Sequence, residues 1–238
     1  MPRSPLLDHS RAERLALVDM FASLDEAQLA TQSLCAAWTV RDVLAHLATP
    51  ALLSNADIAK QFLRKPSFHA ATVAWSERLA SSSTEELIDG LRRTADDPFI
   101  PPVVGPAGPL TDAVIHGEDA RHPLGLRRDV PEPHLREILD FGLSRRAQPV
   151  FVPFRRLRGV RFVATDLDWS GGQGAVVKGP ALQVALAMFG RIGAAPGLTG
   201  DGVAVLAAPD AALSGPITSS ANRFIPSSFS CNGRRNPP

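Results

Sequence analysis

Apolar residues recur at three- and four-residue steps through the first half of the chain, and the pattern becomes mixed in the second half. Leu15, Val18 and Phe21 step along one helical face behind Ser10-Arg-Ala-Glu13, which has the form of a capping box. Val40, Val43, Leu44 and Leu47 form the next stripe, and Thr39 and Asp42 are spaced to cap its start reciprocally. Pro50 predicts a break or bend, with helix resuming over residues 54–64. Residues 67–81, carrying Phe68, Val73, Trp75 and Leu79, read as further helix, and Ser83-Thr-Glu-Glu86 caps another before Leu87, Ile88 and Leu91. A proline-rich loop follows from Asp96. Gly108-Pro109 then opens a helix with proline at its first position, and Pro123 and Gly125 stop it.

Residues 126–133 have the composition of a linker, after which the pattern changes. Leu135, Ile138, Leu139 and Leu143 give one more helical stripe, whereas residues 160–165 alternate as a strand does. The glycine-rich stretch 168–174 has neither dinucleotide-binding nor P-loop spacing and reads as the turn of a hairpin leading to Ala175-Val-Val-Lys178. Gly179-Pro180 opens a helix through Leu182, Val184, Leu186 and Met188 to Gly190-Arg191, and residues 200–206 suggest a last strand. From Ser214 onward no periodicity remains, so Cys231 falls in an expected disordered tail. The expected fold class is a helical N-terminal domain, residues 1–125, then a smaller α+β domain, residues 126–213, with 214–238 as the tail.

Composition narrows the function classes. A chain of 238 residues can bury one large core or two modest ones. Lys and Arg number 25 against 24 Asp and Glu, with no basic run long enough to track a phosphate backbone, which argues against a nucleic-acid partner. The two cysteines, Cys35 and Cys231, are too few and too distant for a disulfide framework or a cysteine-rich zinc module. The N-terminus lacks a secretory apolar run and charges or Gly/Pro interrupt every later one, so a cytoplasmic protein with no membrane partner is expected.

Candidate chemistry concentrates in the stretch from Leu110 to Gly125. On a helix, Asp112, His116 and Asp119 share one face, which makes half of a metal site. His46 sits among apolar residues at helical spacing and points inward as the other half; taken alone, a hydrogen-bonded core histidine is the commoner case. Asp119 reads equally as a group orienting a ligand or as a surface partner of Arg121. His69 has no polar partner at helical spacing.

Ser33-Leu-Cys-Ala-Ala-Trp-Thr-Val-Arg-Asp-Val-Leu-Ala-His46, followed by Asp112-x-x-x-His116-Gly-x-Asp119, resembles the actinobacterial mycothiol-dependent maleylpyruvate isomerase-like proteins of the DinB superfamily. Asp166-Leu-Asp-Trp-Ser, Gly179-Pro180, Gly190-Arg191 and Leu198-Thr-Gly-Asp-Gly202 resemble that family's second domain. The resemblance implies a four-helix bundle that binds a divalent metal, often zinc, with His46, Asp112 and His116 as ligands. It also implies mycothiol as thiol cosubstrate, a small electrophile as substrate, and Arg191 as a catalytic group for an anionic substrate or cofactor. The family's maleylpyruvate isomerase pattern has Glu at the position of Asp112, which favours general S-transfer over that particular isomerisation. A non-catalytic metal- or ligand-binding protein is the alternative, because a fold does not select a reaction.

Overall fold

The structure is a computed structural model and describes residues 4–54, 75, 78–79, 81–100, 104–148, 150–152 and 156–208. The described residues divide into two compact units, one ending at Val130 and the other beginning at Pro131. The expected helices over 54–64 and most of 67–81, together with His69 and the tail containing Cys231, lie outside the described residues.

The first unit is helical. Helix α1, Pro5–Ala22, starts earlier than the Ser10 capping box predicts. Ser4 stands at its N-cap and Pro5 at its first position, where the missing N–H costs nothing, so the helix is already running at Ser10. Ser10 and Glu13 are consequently buried, and Glu13 is bonded to Arg128. A short helix α2, Glu26–Leu29, leads to α3, Val40–Leu52. The start of α3 has the reciprocal Thr39/Asp42 cap, and Pro50 falls in its last turns without ending it at once. Helix α4, Thr84–Asp96, carries the expected Ser83/Glu86 cap.

Helix α5, Ala107–Arg121, begins two residues before Pro109, which therefore sits inside the first turn rather than at its first position. The first turn's N–H groups have no intrahelical partner, so proline is still tolerated. A single 3-10 turn, His122–Leu124, and Gly125 in the left-handed region at φ 67° end the run.

Among the described residues, α3 packs on α4, α1 on α4 and α5, and α3 on α5. Leu17, Phe21, Val43, Leu44, Leu47, Leu87 and Leu91 are fully buried between them, each contributing about 1.5–3 kcal/mol of transfer free energy. Trp75 and Leu79 join the same core. Close approach of α3 and α4 depends on Gly90, where an added Cβ would lie 3.0 Å from Leu52 and 3.1 Å from Ala48. Helix α5 differs from its neighbours in being buried on nearly every side, with Thr111, Glu118, Asp119 and Arg121 among its buried residues. Polar groups there must find partners inside the protein.

The second unit contains helix α6, Glu132–Leu143, a three-stranded sheet and two short helices. Strands β1, Val160–Ala164, β2, Ser170–Gly172, and β3, Ala175–Gly179, lie in the order β2-β1-β3. The hairpin expected to turn at the glycines and return along Ala175–Lys178 is not formed: β1 is antiparallel to β2, which itself contains Gly171 and Gly172, and β3 runs parallel to β1 on its other side. Between β2 and β3 the chain passes under the start of β1. Gly172 and Gly174 have φ of 78° and 121°, and a Cβ on either would overlap the carbonyl of Val160 or Gly159. Only glycine meets both demands, which explains the glycine-rich stretch without a ligand.

Helix α7, Ala181–Met188, follows Pro180 as expected. The strand expected over 200–206 is instead helix α8, Gly202–Ala207. Alternation of Val and Ala misled here, because Gly200 turns the chain at φ 98° after Thr199 has bridged to Lys178. A side chain at Gly202 would strike the Ala175 carbonyl at 2.6 Å, so the first turn of α8 rests directly on β3.

Candidate metal centre

The Thr39 cap sets the starting point of α3. The Asp42 carboxylate accepts the Thr39 N–H at 2.8 Å and Thr39 Oγ1 accepts the Asp42 N–H at 3.2 Å. Two turns later the same helix delivers His46 to the face opposite α5, where Asp112 and His116 stand four residues apart. His46 Nε2 lies 3.3 Å from Asp112 Oδ1, and His116 Nε2 lies 3.8 Å from the same oxygen. One donor atom from each of the three residues falls within 4.8 Å of the others. Donors about 2.0–2.1 Å from a tetrahedral zinc stand roughly 3.4 Å apart, so these spacings suit three corners of one coordination sphere.

The electrostatics prepare the same donors. Burial pushes the His46 pKa below its ordinary value, and the neighbouring charges of His116 and Arg14 push it the same way against the pull of Asp112. The neutral imidazole keeps a lone pair available. Burial alone would raise the Asp112 pKa, but hydrogen bonding and charge from His46, with His116 and Arg14, outweigh it and hold the carboxyl well below the usual carboxylate range. Trp38 stacks on the His46 ring at 4.7 Å between centroids, and the His46 and His116 rings meet edge to face at 4.7 Å. These contacts restrict both rings.

His116 also belongs to a second cluster with Cys35 and Asp119. Here the distances are those of hydrogen bonds: His116 Nδ1 is 2.8 Å and Cys35 Sγ 3.1 Å from Asp119 Oδ2. A carboxylate is acceptor-only, so Nδ1 of His116 donates to it and Nε2 is left turned toward Asp112 and His46. Asp119 is fully buried, and its own carbonyl accepts the Leu34 N–H at 3.0 Å. It therefore orients His116, while Arg121 bonds Glu118 at 3.3 Å instead.

The structure thus brings His46, Asp112 and His116 together. Arg191 lies in the second unit, buried, with its backbone N–H on the Leu186 carbonyl at 2.7 Å and Nη1 donating to the Phe189 carbonyl at 2.6 Å, at the C-terminal end of α7. Three residues escaped the sequence reading. Trp38 and Cys35 flank the donors from the loop before α3, and Arg14 reaches Asp112 Oδ2 at 3.1 Å. Arg14 stands one turn before the buried Leu17, Val18 and Phe21, on the face where an apolar residue would be expected.

Fold and donor set together define a helical bundle with an open three-donor cluster, joined in sequence to an α+β unit. Residues 10–98 match the family model described as mycothiol maleylpyruvate isomerase N-terminal domain. The fold is similar to that of the crystal structure of the mycothiol-dependent maleylpyruvate isomerase, with a TM-score of 0.56 and 15% identity over 84% of this chain and 93% of that one. A crystal structure of a single-substitution mutant of that isomerase matches equally. No curated protein matches the sequence. The family resemblance read from the motifs is borne out by the family model and the fold. The matched segment contains His46 but stops short of α5, so what joins Asp112 and His116 to it is the geometry.

Proposed function

We propose that the protein is a divalent-metal-dependent enzyme that uses mycothiol or a related low-molecular-weight thiol for isomerisation or S-transfer on a small electrophile. His46, Asp112 and His116 hold the metal, with zinc the first choice. The observation that carries this reading is the convergence of two imidazole nitrogens and one carboxylate oxygen within 4.8 Å. A cation bound there supplies Lewis acidity that lowers the pKa of a thiol brought to it, so no enzyme cysteine is required as nucleophile.

The protein's own groups then have defined tasks. Asp112 would contribute the negative charge, the two histidines their imidazole nitrogens, and Asp119, bonded to Nδ1 of His116, would leave its Nε2 for the cation. Side-chain exposures of 13% for each histidine and 22% for Asp112 leave the donors reachable from outside. A purely structural zinc site is closed by four protein ligands, so three partly exposed donors favour catalysis over the non-catalytic alternative. Arg191 enters the proposal as a group for the anionic end of substrate or thiol. A thiol-using enzyme of this kind belongs in the reducing cytoplasm, and among the described residues no helix is long and apolar enough to cross a membrane.

The test is to load metal-stripped protein with zinc and incubate it with mycothiol and a panel of electrophiles. Turnover that disappears in His46→Ala and His116→Ala, along with stoichiometric metal, is the expected result. Stoichiometric metal without thiol binding or turnover would leave the non-catalytic alternative.

A further inference from the structure

Arg14 is buried, sits on α1, and connects three other helices through one guanidinium. Its Nη1 donates to the Leu47 carbonyl on α3 at 3.2 Å and to Thr94 Oγ1 on α4 at 2.9 Å, while its Nη2 donates to Asp112 Oδ2 on α5 at 3.1 Å. Thr94 is itself fixed by donating to the Leu91 carbonyl at 2.7 Å. An arginine facing a free carboxylate commonly engages both oxygens. Here it takes Oδ2, and Oδ1 is the oxygen nearest both imidazoles.

We infer that Arg14 is a positioning residue for the metal centre: by holding Oδ2 of Asp112 against α3 and α4, it presents Oδ1 as a single-oxygen ligand to the cation. The inference rests on the metal site of the proposed function and deepens it. A short side chain has less latitude to search for a ligand position, and the guanidinium fixes that position from behind. Lysine could supply the charge but not the planar fork that reaches Leu47, Thr94 and Asp112 together.

The experiment measures zinc affinity by chelator competition and the visible absorption of the Co(II)-loaded protein, with circular dichroism confirming the fold. Variants are Arg14→Met, Arg14→Lys and Thr94→Val, the first two also in the Asp112→Asn background. Loss of an outer partner of a metal ligand typically weakens affinity by about 10–100-fold, and that is expected for Arg14→Met, with smaller losses for Arg14→Lys and Thr94→Val. A released carboxylate can turn bidentate, so the Co(II) bands of Arg14→Met should weaken as the coordination number rises. Neither Arg14 substitution should cost further affinity once Asp112 is Asn.

A folded Arg14→Met protein with wild-type zinc affinity and an unchanged Co(II) spectrum would overturn the inference, as would an equal loss in the Asp112→Asn background. Where Arg14→Met does not fold, Arg14→Lys decides by the same two readouts. Wild-type protein that binds zinc but turns over no thiol leaves the Arg14 comparison intact and removes only the enzymatic reading. Wild-type protein that binds no metal ends both.

Discussion

The two ring nitrogens of His116 face groups of similar chemistry at different spacing. On the Nε2 side, Asp112 lies 3.8 Å away, and His46 completes the cluster through a long 3.3 Å contact to the same carboxylate oxygen. On the Nδ1 side, Asp119 lies at 2.8 Å with Cys35 behind it, fully out of water. Donor identity alone does not separate a ligand set from a hydrogen-bonded support, since both sides pass as three potential metal ligands. Distance and burial separate them. Groups closer than about 3.2 Å have already satisfied one another, whereas groups spaced roughly 3.4 Å apart and open to solvent leave room for a cation.

The strongest way to break this contrast is to remove one donor from each side. Asp112→Ala should abolish stoichiometric zinc, measured by metal analysis after gel filtration, whereas Asp119→Asn should retain zinc at about 10–100-fold lower affinity. The asparagine can still accept the Nδ1 proton, but a neutral amide makes a weaker hydrogen bond than the carboxylate. If Asp119→Asn lost all metal while Asp112→Ala kept it, the assignment of the two sides would have to be exchanged.

Why the open side was legible in the sequence, and the closed side mostly was not, follows from the range of each interaction. Asp112 and His116 are four residues apart on one helix, so helical periodicity alone makes them neighbours, and the capped stripe of α3 turns His46 inward. Asp119 lies on that same face, but its choice between orienting His116 and pairing with Arg121 depends on burial, which no local pattern reports. Cys35 and Arg14 reach the cluster across 84 and 98 residues of sequence to Asp119 and Asp112, respectively. The second unit shows the same limit in its backbone. Alternation located β1, yet the passage of the chain beneath it into a parallel β3, and the helical turn at Gly202–Ala207, depend on tertiary contacts at glycine.

A smaller effect is expected from pH in the metal-stripped protein. The pKa of His46 in the native state is lowered by burial, so below its ordinary value of 6.5 the unfolded chain takes up a proton that the native protein resists. Stability is therefore fully present above that value and declines as pH falls. One proton is worth at most about 1.4 kcal/mol per pH unit. Denaturant titrations should show this loss in wild type and a flatter profile in His46→Gln, which does not titrate. Asp112 acts in the same direction, because its depressed pKa adds stability that is lost in still more acidic solution, below 3.8. An equal slope in both proteins would mean that His46 does not carry the dependence.

The smallest effect should come from Cys35→Ala. The thiol is a weak donor, and Asp119 keeps the stronger His116 Nδ1–H, so the loss is expected near the low end of the about 0.5–1.5 kcal/mol that a hydrogen bond contributes. In zinc affinity that is a change of a few-fold at most, well below the Asp119→Asn effect. The comparison is informative because Cys35→Ala removes one of two donors to the carboxylate oxygen that Asp119→Asn alters. If Cys35→Ala instead removed zinc as completely as Asp112→Ala, Sγ would be a ligand, and the closed side of His116 would hold the metal.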